Sequence, residues 1–188
     1  MALPLPLRNR LAELILASLH DPGARNTLSA LVRFCGEPED APAPPEVVAE
    51  FPAALRKEHR RFRDELCERT LRAWDAVRDR PLAGRAPALA EALNQAGDLF
   101  DARLFFEVHE LLEPYWMRAE GATREALQGL IQIAVGFQHL ANDNVDGARM
   151  LLAEGSAKAE GKQLEGLDLS DFAHAVRLGV LPRFPRGG

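Results

Sequence analysis

The chain has 188 residues, of which 47% are hydrophobic and 27% charged, a balance that is typical of a folded globular protein and excludes wholesale disorder. Its formal charge of -5 is too small to recruit nucleic acid through a long-range field, so we expect no nucleic-acid partner. The uncharged run 126–141 is shorter than the ~20 residues that span a bilayer, and we expect no membrane partner either.

Two helices are predicted at the start of the chain. Leucines at helical spacing predict a first helix that ends before the turn Asp21-Pro22-Gly23. Asn26 can cap a second helix over residues 27–35, which ends at Gly36, where a left-handed residue suits a helix end.

A proline-rich break and a long helix follow. The stretch 37–45 cannot continue a helix and predicts a loop, because proline removes a backbone donor and clashes with the preceding turn. From 55 to 77 the apolar residues, with His59 among them, recur on one face and predict an amphipathic helix. We interpret residues 1–80 as an N-terminal helical extension packed on the core.

The two cysteines, Cys35 and Cys67, lie inside helical patterns without a cysteine or histidine at metal-ligand spacing. We therefore interpret them as packed thiols that form neither a disulfide nor a metal site. Charged residues interrupt the apolar start of the chain, so no signal peptide is expected. Together these features favour a cytoplasmic protein.

The rest of the chain predicts paired helices. Residues 81–165 are interpreted as a core domain of helical hairpins, and residues 166–188 as a short helix over 171–178 followed by a tail that frays or packs along the surface. No period-2 pattern indicates a strand. The core helices are predicted over 88–100, 104–117, 124–142 and 145–160.

The two hairpins resemble each other. The pairs Leu111-Leu112 and Leu151-Leu152 are offset by 40 residues, as are Phe100 and Leu140, which is a weak repeat similar to tetratricopeptide-like helix pairs. The sequence therefore predicts an all-α fold, a bundle of helical hairpins with an N-terminal extension. The apolar faces of the N-terminal helices are also compatible with a homodimer.

The helix over residues 105–116 carries the candidate functional residues His109, Glu110 and Glu113. On a helical wheel Glu110 lies between Phe106 and Met117, so it is expected to be buried. A buried carboxylate without a partner costs several kcal/mol or takes up a proton. We therefore expect the Glu110 carboxylate to contact another polar side chain, a water molecule or a metal ion.

The following helix supplies partners for this carboxylate. Gln128, Gln132 and His139 stand along one line of that helix, while Gly129 and Gly136 would let a neighbouring backbone come close. In an antiparallel hairpin Gln128 would lie near Glu113, and Gln132 near His109 or Glu110. We expect one buried polar seam between the two helices, formed by His109, Glu110, Glu113, Trp116, Gln128, Gln132 and His139.

Two motifs carry a family resemblance. They are Phe105-Phe106-Glu107-Val108-His109-Glu110-Leu111-Leu112-Glu113 with Trp116, and Leu127-Gln128-Gly129-Leu130-Ile131-Gln132 followed by His139-Leu140. Over residues 87–160 they resemble the uncharacterised helical family named domain of unknown function 309, although Val108, Gly136 and Gln138 depart from that family's more common residues. The resemblance implies an all-helical fold, and it implies no function because the family has no established activity.

Three functions remain open for the seam. As a closed hydrogen-bond network it would fix the register of the hairpin in a non-catalytic binding or scaffold module. It could instead line a pocket for a small ligand or a peptide, with Trp116 and Tyr115 at its mouth. In the third reading His109 and Glu113 chelate zinc, manganese or iron, and Glu110 is the general base of a metal-dependent hydrolase, as in the helix of zinc proteases.

Overall fold

The computed structural model describes residues 3–38, 41–51 and 61–186. Regular structure in these residues is almost entirely helical, which confirms the predicted all-α class. The chain divides into two compact units, Met1–Arg85 and Ala86–Gly188. Packing of the N-terminal helices on the core stays a prediction.

The N-terminal unit is built around α2, which packs against the other helices of the unit. Its core consists of leucine and isoleucine side chains that are almost fully buried, such as Leu11, Ile15, Leu28 and Leu31. The predicted helix over 55–77 is present from residue 63 onward, and the part at 55–60, which includes His59, lies outside the described residues. The described helices of this unit are α1 (Leu5–Ala17), α2 (Pro22–Gly36), α3 (Pro45–Glu50) and α4 (Arg63–Val77).

The start of α2 differs from the prediction. The helix begins at Pro22 rather than at residue 27, and its N-cap is Asp21 rather than Asn26. The Asp21 side chain accepts hydrogen bonds from the backbone N–H groups of Gly23 (2.7 Å) and Ala24 (3.1 Å). Proline is favoured at the first helical position because it has no N–H that would need a partner there. Asp21-Pro22-Gly23 is therefore a helix start.

The prediction that both cysteines are packed thiols is wrong. Cys35 at the end of α2 and Cys67 in α4 form a disulfide across a sequence separation of 32 residues. Arg63 joins the same two helices, since its guanidinium lies 4.4 Å from the Phe34 ring centroid and donates to the Phe34 carbonyl at 2.9 Å. Because disulfides persist mainly in oxidising compartments, the cysteines no longer support the prediction of a cytoplasmic location.

The second unit consists of two helical hairpins, a short β-hairpin and a last helix. Among the described residues, none of the helices has the combination of length and apolar character that a bilayer crossing requires. The elements of this unit are α5 (Leu89–Asp101), α6 (Phe105–Arg118), α7 (Gly121–Ala141), α8 (Val145–Ala159), β1 (Gln163–Leu164), β2 (Leu167–Asp168) and α9 (Ser170–Arg177).

The two helical hairpins share one turn geometry, which extends the repeat seen in the sequence. Arg103 between α5 and α6 and Asp143 between α7 and α8 both adopt left-handed backbone, with φ of 59° and 60°. In each turn the next residue donates to a carbonyl five residues back, from Leu104 to Leu99 and from Asn144 to His139. These paired positions are again offset by 40 residues.

The β-hairpin was not predicted. Its strands have two residues each, with Gln163 opposite Asp168 and Leu164 opposite Leu167, which is too short to form an alternating pattern. The turn residues Glu165 and Gly166 both have positive φ, 48° and 81°, as a tight hairpin turn requires. The hairpin leads the chain from α8 into α9.

The C-terminal tail is anchored rather than frayed. Phe184 is 3% exposed, and its ring centroid lies 5.7 Å from those of both Phe100 and Phe172. Arg186 pairs with Asp98 and Asp101 of α5, each at 2.9 Å. The sequence prediction located the tail on the surface because it did not identify Phe184 as a core residue.

Glycines bring α7 and α8 into close contact. A Cβ on Gly129 would lie 2.8 Å from the carbonyl oxygen of Gly155, and a Cβ on Gly136 would lie 2.7 Å from Cγ of Leu152. The predicted close approach of a neighbouring helix therefore occurs, and the neighbour is α8. Leu152 fills the space that a larger residue at Gly136 would need.

Candidate metal-binding cluster on helix α6

His109, Glu110 and Glu113 come together on α6. One potential metal-ligating atom from each of the three residues lies within 4.8 Å of the others. Residues three and four apart are neighbours on a helix, so the spacing of these residues produces the cluster locally. This part of the predicted site follows from the helix alone.

The histidine ring lies between the two carboxylates. Nδ1 of His109 is 3.2 Å from Oε1 of Glu110, and Nε2 is 3.8 Å from Oε1 of Glu113. The side chains of His109, Glu110 and Glu113 are 27%, 39% and 45% exposed. The cluster is therefore open to a ligand from solution.

The prediction that Glu110 is buried between Phe106 and Met117 is wrong. Met117 is 67% exposed, so that side of α6 faces outward. The fully buried carboxylate of the helix is Glu107. Glu107 is three residues after Leu104 and four before Leu111, so the helical wheel already assigns it to the apolar face.

The predicted pairing of Gln132 with α6 is also wrong. Gln132 donates to Oε2 of Glu154 and accepts from Nζ of Lys158, both at 2.9 Å and both on α8. The polar line of α7 therefore faces the second helix of its own hairpin. The physical reason is the glycine contact between α7 and α8, which brings that line of α7 against α8.

The remaining polar residues of the predicted seam lie elsewhere. His139 is at the end of α7, where its Nδ1 is 2.9 Å from Nδ2 of Asn144 in the turn. Gln128 is half-buried one turn before Gln132. The seven predicted residues thus separate into a cluster on α6 and polar contacts along α7 and α8.

Trp116 extends the α6 cluster toward the start of α7, because residues 109, 113 and 116 lie on one helix face. The guanidinium of Arg124 lies 4.4 Å from the Trp116 ring centroid and donates to the Trp116 carbonyl at 2.9 Å. The indole Nε1 is buried and has no hydrogen-bond partner among the described residues. Trp116 is thus held by Arg124 rather than displayed at a pocket mouth.

Tyr115 is also fixed by the protein. Its hydroxyl donates to the Pro87 carbonyl at 2.7 Å, and burial raises the pKa of the phenol above its usual value of 10.0. The tyrosine hydroxyl therefore acts as a structural donor. The predicted aromatic mouth formed by Tyr115 and Trp116 is not supported.

The donors of the cluster define its chemistry. Imidazole nitrogen and carboxylate oxygen are the ligands that zinc and other first-row divalent metals accept. Pro114, inside α6, has no N–H, so the Glu110 carbonyl lacks its usual helical donor next to the cluster. The cluster therefore offers one nitrogen and several oxygens to a cation.

The comparisons with known proteins identify the segment that contains this cluster. Residues 93–151 match the model of the family described as "Domain of unknown function (DUF309)", and this segment is less than half of the chain. No curated protein and no solved structure gives a significant match. The match covers the segment from the middle of α5 into α8, which contains the His109 cluster, and it confirms the family resemblance of the α6 and α7 motifs.

Proposed function

We propose that the protein is a non-catalytic helical binding module whose α6 cluster holds a divalent metal ion. The observation that carries this proposal is the convergence of His109, Glu110 and Glu113 to within 4.8 Å on a half-exposed helix face. Donors that are half exposed can exchange a ligand with solution without opening the core. A cation would also offset the two carboxylate charges.

The two sides of the imidazole suggest different roles for the two glutamates. Two donors bound to one tetrahedral zinc ion at ~2.0 to 2.1 Å lie about 3.3 Å apart. The 3.8 Å between Nε2 of His109 and Oε1 of Glu113 is close to this value and is too long for a good hydrogen bond. His109 Nε2 and Glu113 are therefore our preferred direct ligands.

Glu110 fits the role of a positioning residue. Its carboxylate is 3.2 Å from Nδ1, the nitrogen on the other side of the ring. A carboxylate at this position orients a metal-bound histidine and increases its basicity. To act as a general base, Glu110 would have to reach a water molecule bound to the metal at the Nε2 side, whereas its carboxylate lies beside Nδ1. This geometry favours metal binding over catalysis.

The test is metal titration of protein that was purified without a metal-affinity tag, followed by elemental analysis. We expect one zinc or manganese ion per cluster, with binding abolished in His109→Ala and reduced at least about 100-fold in Glu113→Gln. Glu110→Gln should weaken binding by roughly 10- to 100-fold, as is typical of a partner of a metal ligand. His139→Ala is the control, because His139 lies at the end of α7, where its ring contacts Asn144 instead of the α6 cluster. Equal metal binding by His109→Ala and the unchanged protein would refute the proposal.

A metal-dependent hydrolase is the second candidate, because Glu110 stands beside a metal-binding pair, as the general base does in zinc proteases. This candidate predicts hydrolysis of ester or peptide substrates that requires added metal. It also predicts that Glu110→Gln loses this activity while it still binds the metal. Metal binding without such activity favours the non-catalytic module.

A further inference from the structure

A cavity of about 350 Å³ opens between α1, α2 and α3 in the N-terminal unit. Its α1 wall comes from residues 10, 13, 14 and 17, which lie on one helix face. The small side chains of Ala17 on α1 and Ala24 on α2 are part of its lining. Cavities of about 300 to 1,000 Å³ are typical of small-molecule sites.

We call the apolar lining residues Leu14, Ala17 and Ala24 the floor of this cavity and the charged ones, Arg10, Glu13 and Glu50, its rim. Leu14 is 4% exposed, and the remaining lining residue, Thr27, donates its hydroxyl to the Gly23 carbonyl. At the rim Arg10 donates from Nη1 to Glu13 and pairs through Nη2 with Glu50, both at 2.7 Å. A site with an apolar body and a few convergent polar groups binds amphipathic small molecules.

The rim carries one more negative charge than positive charge. Arg10 supplies one positive charge, while Glu13 and Glu50 supply two negative charges. The hydrogen bond to Glu13, with a further contribution from Glu50, raises the pKa of the Arg10 guanidinium above its usual value. An anionic ligand would have to displace a carboxylate from Arg10 and then lie beside it, so the rim disfavours anions.

The same charges favour a cationic ligand. Arg10 contacts Oε2 of Glu13 and Oε1 of Glu50, so the second oxygen of each carboxylate can accept a further hydrogen bond. A protonated primary amine has three N–H donors, which suffice for both oxygens. We propose that this cavity binds a small primary amine, with the ammonium group on Glu13 and Glu50 and an aromatic or branched aliphatic body on Leu14, Ala17 and Ala24.

The experiment compares three probes of similar size on the full chain by amide NMR titration at neutral pH. They are 2-phenylethylamine, 2-phenylethanol and phenylacetate, of which the anion should give no saturable shifts because the rim disfavours anions. We expect the amine to shift the amide signals of Leu14, Ala17 and Ala24 with a Kd on the order of 1 mM, as suits a ligand with few heavy atoms. The alcohol should bind at least about tenfold more weakly, because it lacks the charge that the carboxylates attract.

A matched pair of variants on α3 isolates the charge. Glu50→Gln should weaken binding of the amine by about tenfold and leave binding of the alcohol unchanged, since one carboxylate then only balances Arg10. Glu46→Gln removes an exposed carboxylate of the same helix outside the cavity and should leave the binding of both probes, the amine and the alcohol, unchanged. Equal binding of amine and alcohol overturns the proposal. So does unaltered amine binding by Glu50→Gln, or the absence of saturable shifts at the three cavity residues with the amine.

Discussion

Replacement of Gly129 by alanine tests the close packing of α7 on α8. The added Cβ would lie 2.8 Å from the carbonyl oxygen of Gly155 and 2.9 Å from the backbone nitrogen of Ala159. Ordinary van der Waals contact begins near 3.4 Å. Because both neighbours are backbone atoms, no side-chain rotation relieves the overlap, and the two helices must separate by about half an ångström.

Two effects of opposite sign determine how much Gly129→Ala changes the free energy of unfolding. Alanine stabilises the interior of a helix by ~1 kcal/mol relative to glycine. Overpacking of a well-packed contact costs typically ~1 to 3 kcal/mol, and two backbone neighbours place this site in the upper part of that range. We expect Gly129→Ala to lower the free energy of unfolding by about 1 to 2 kcal/mol, which for a chain of this size lowers Tm by roughly 2 to 8 °C.

The assay is thermal and urea unfolding followed by circular dichroism, with two glycine variants for comparison. Gly36→Ala, at the end of α2, adds a Cβ with no atom within 4 Å and should leave Tm unchanged or raise it. Gly136→Ala meets mainly the flexible side chain of Leu152 and should have a smaller effect than Gly129→Ala. A Tm for Gly129→Ala at or above that of the unchanged protein would refute the packing argument.

Three further predictions concern other contacts. Phe184→Ala should lower the free energy of unfolding by roughly 3 kcal/mol, because it removes a buried ring from the aromatic core. It should also speed tryptic cleavage at Arg183, and an unchanged cleavage rate would mean that Phe184 does not anchor the tail. Reduction of the disulfide between Cys35 and Cys67 should destabilise the N-terminal unit by roughly 3 to 4 kcal/mol, which is the loop-closure entropy for a separation of 32 residues. Urea unfolding with and without a thiol reductant measures this loss, and coincident transitions would contradict the prediction. Backbone hydrogen bonds from Ala24 and Gly23 hold the pKa of Asp21 below its usual 3.8, so its contribution to stability is present above this value and is lost as pH falls through the lowered pKa. The Tm of Asp21→Ala should therefore be lower than that of the unchanged protein at neutral pH, and the two should converge in strong acid; a constant difference at all pH values would exclude the carboxylate as its cause.

The sequence alone determined the features that depend on neighbours along the chain. The four core helices were predicted to within one to three residues, because each has an apolar periodicity and a turn on either side. The α6 cluster was predicted because His109 and Glu113 are one helical turn apart. Burial of Glu107 rather than Glu110 was also available from the spacing to Leu104 and Leu111, although the prediction missed it.

Only the tertiary structure decided which surfaces meet. Both α6 and α8 have faces suited to packing against α7. The close contact between Gly129 and Gly155 places the Gln132 side of α7 against α8. The disulfide joins two helices across a sequence separation of 32 residues, and Phe184 reaches the aromatic core from the C-terminal tail. Helical periodicity specifies which residues share a face, whereas the partner of that face depends on how well distant side chains pack together.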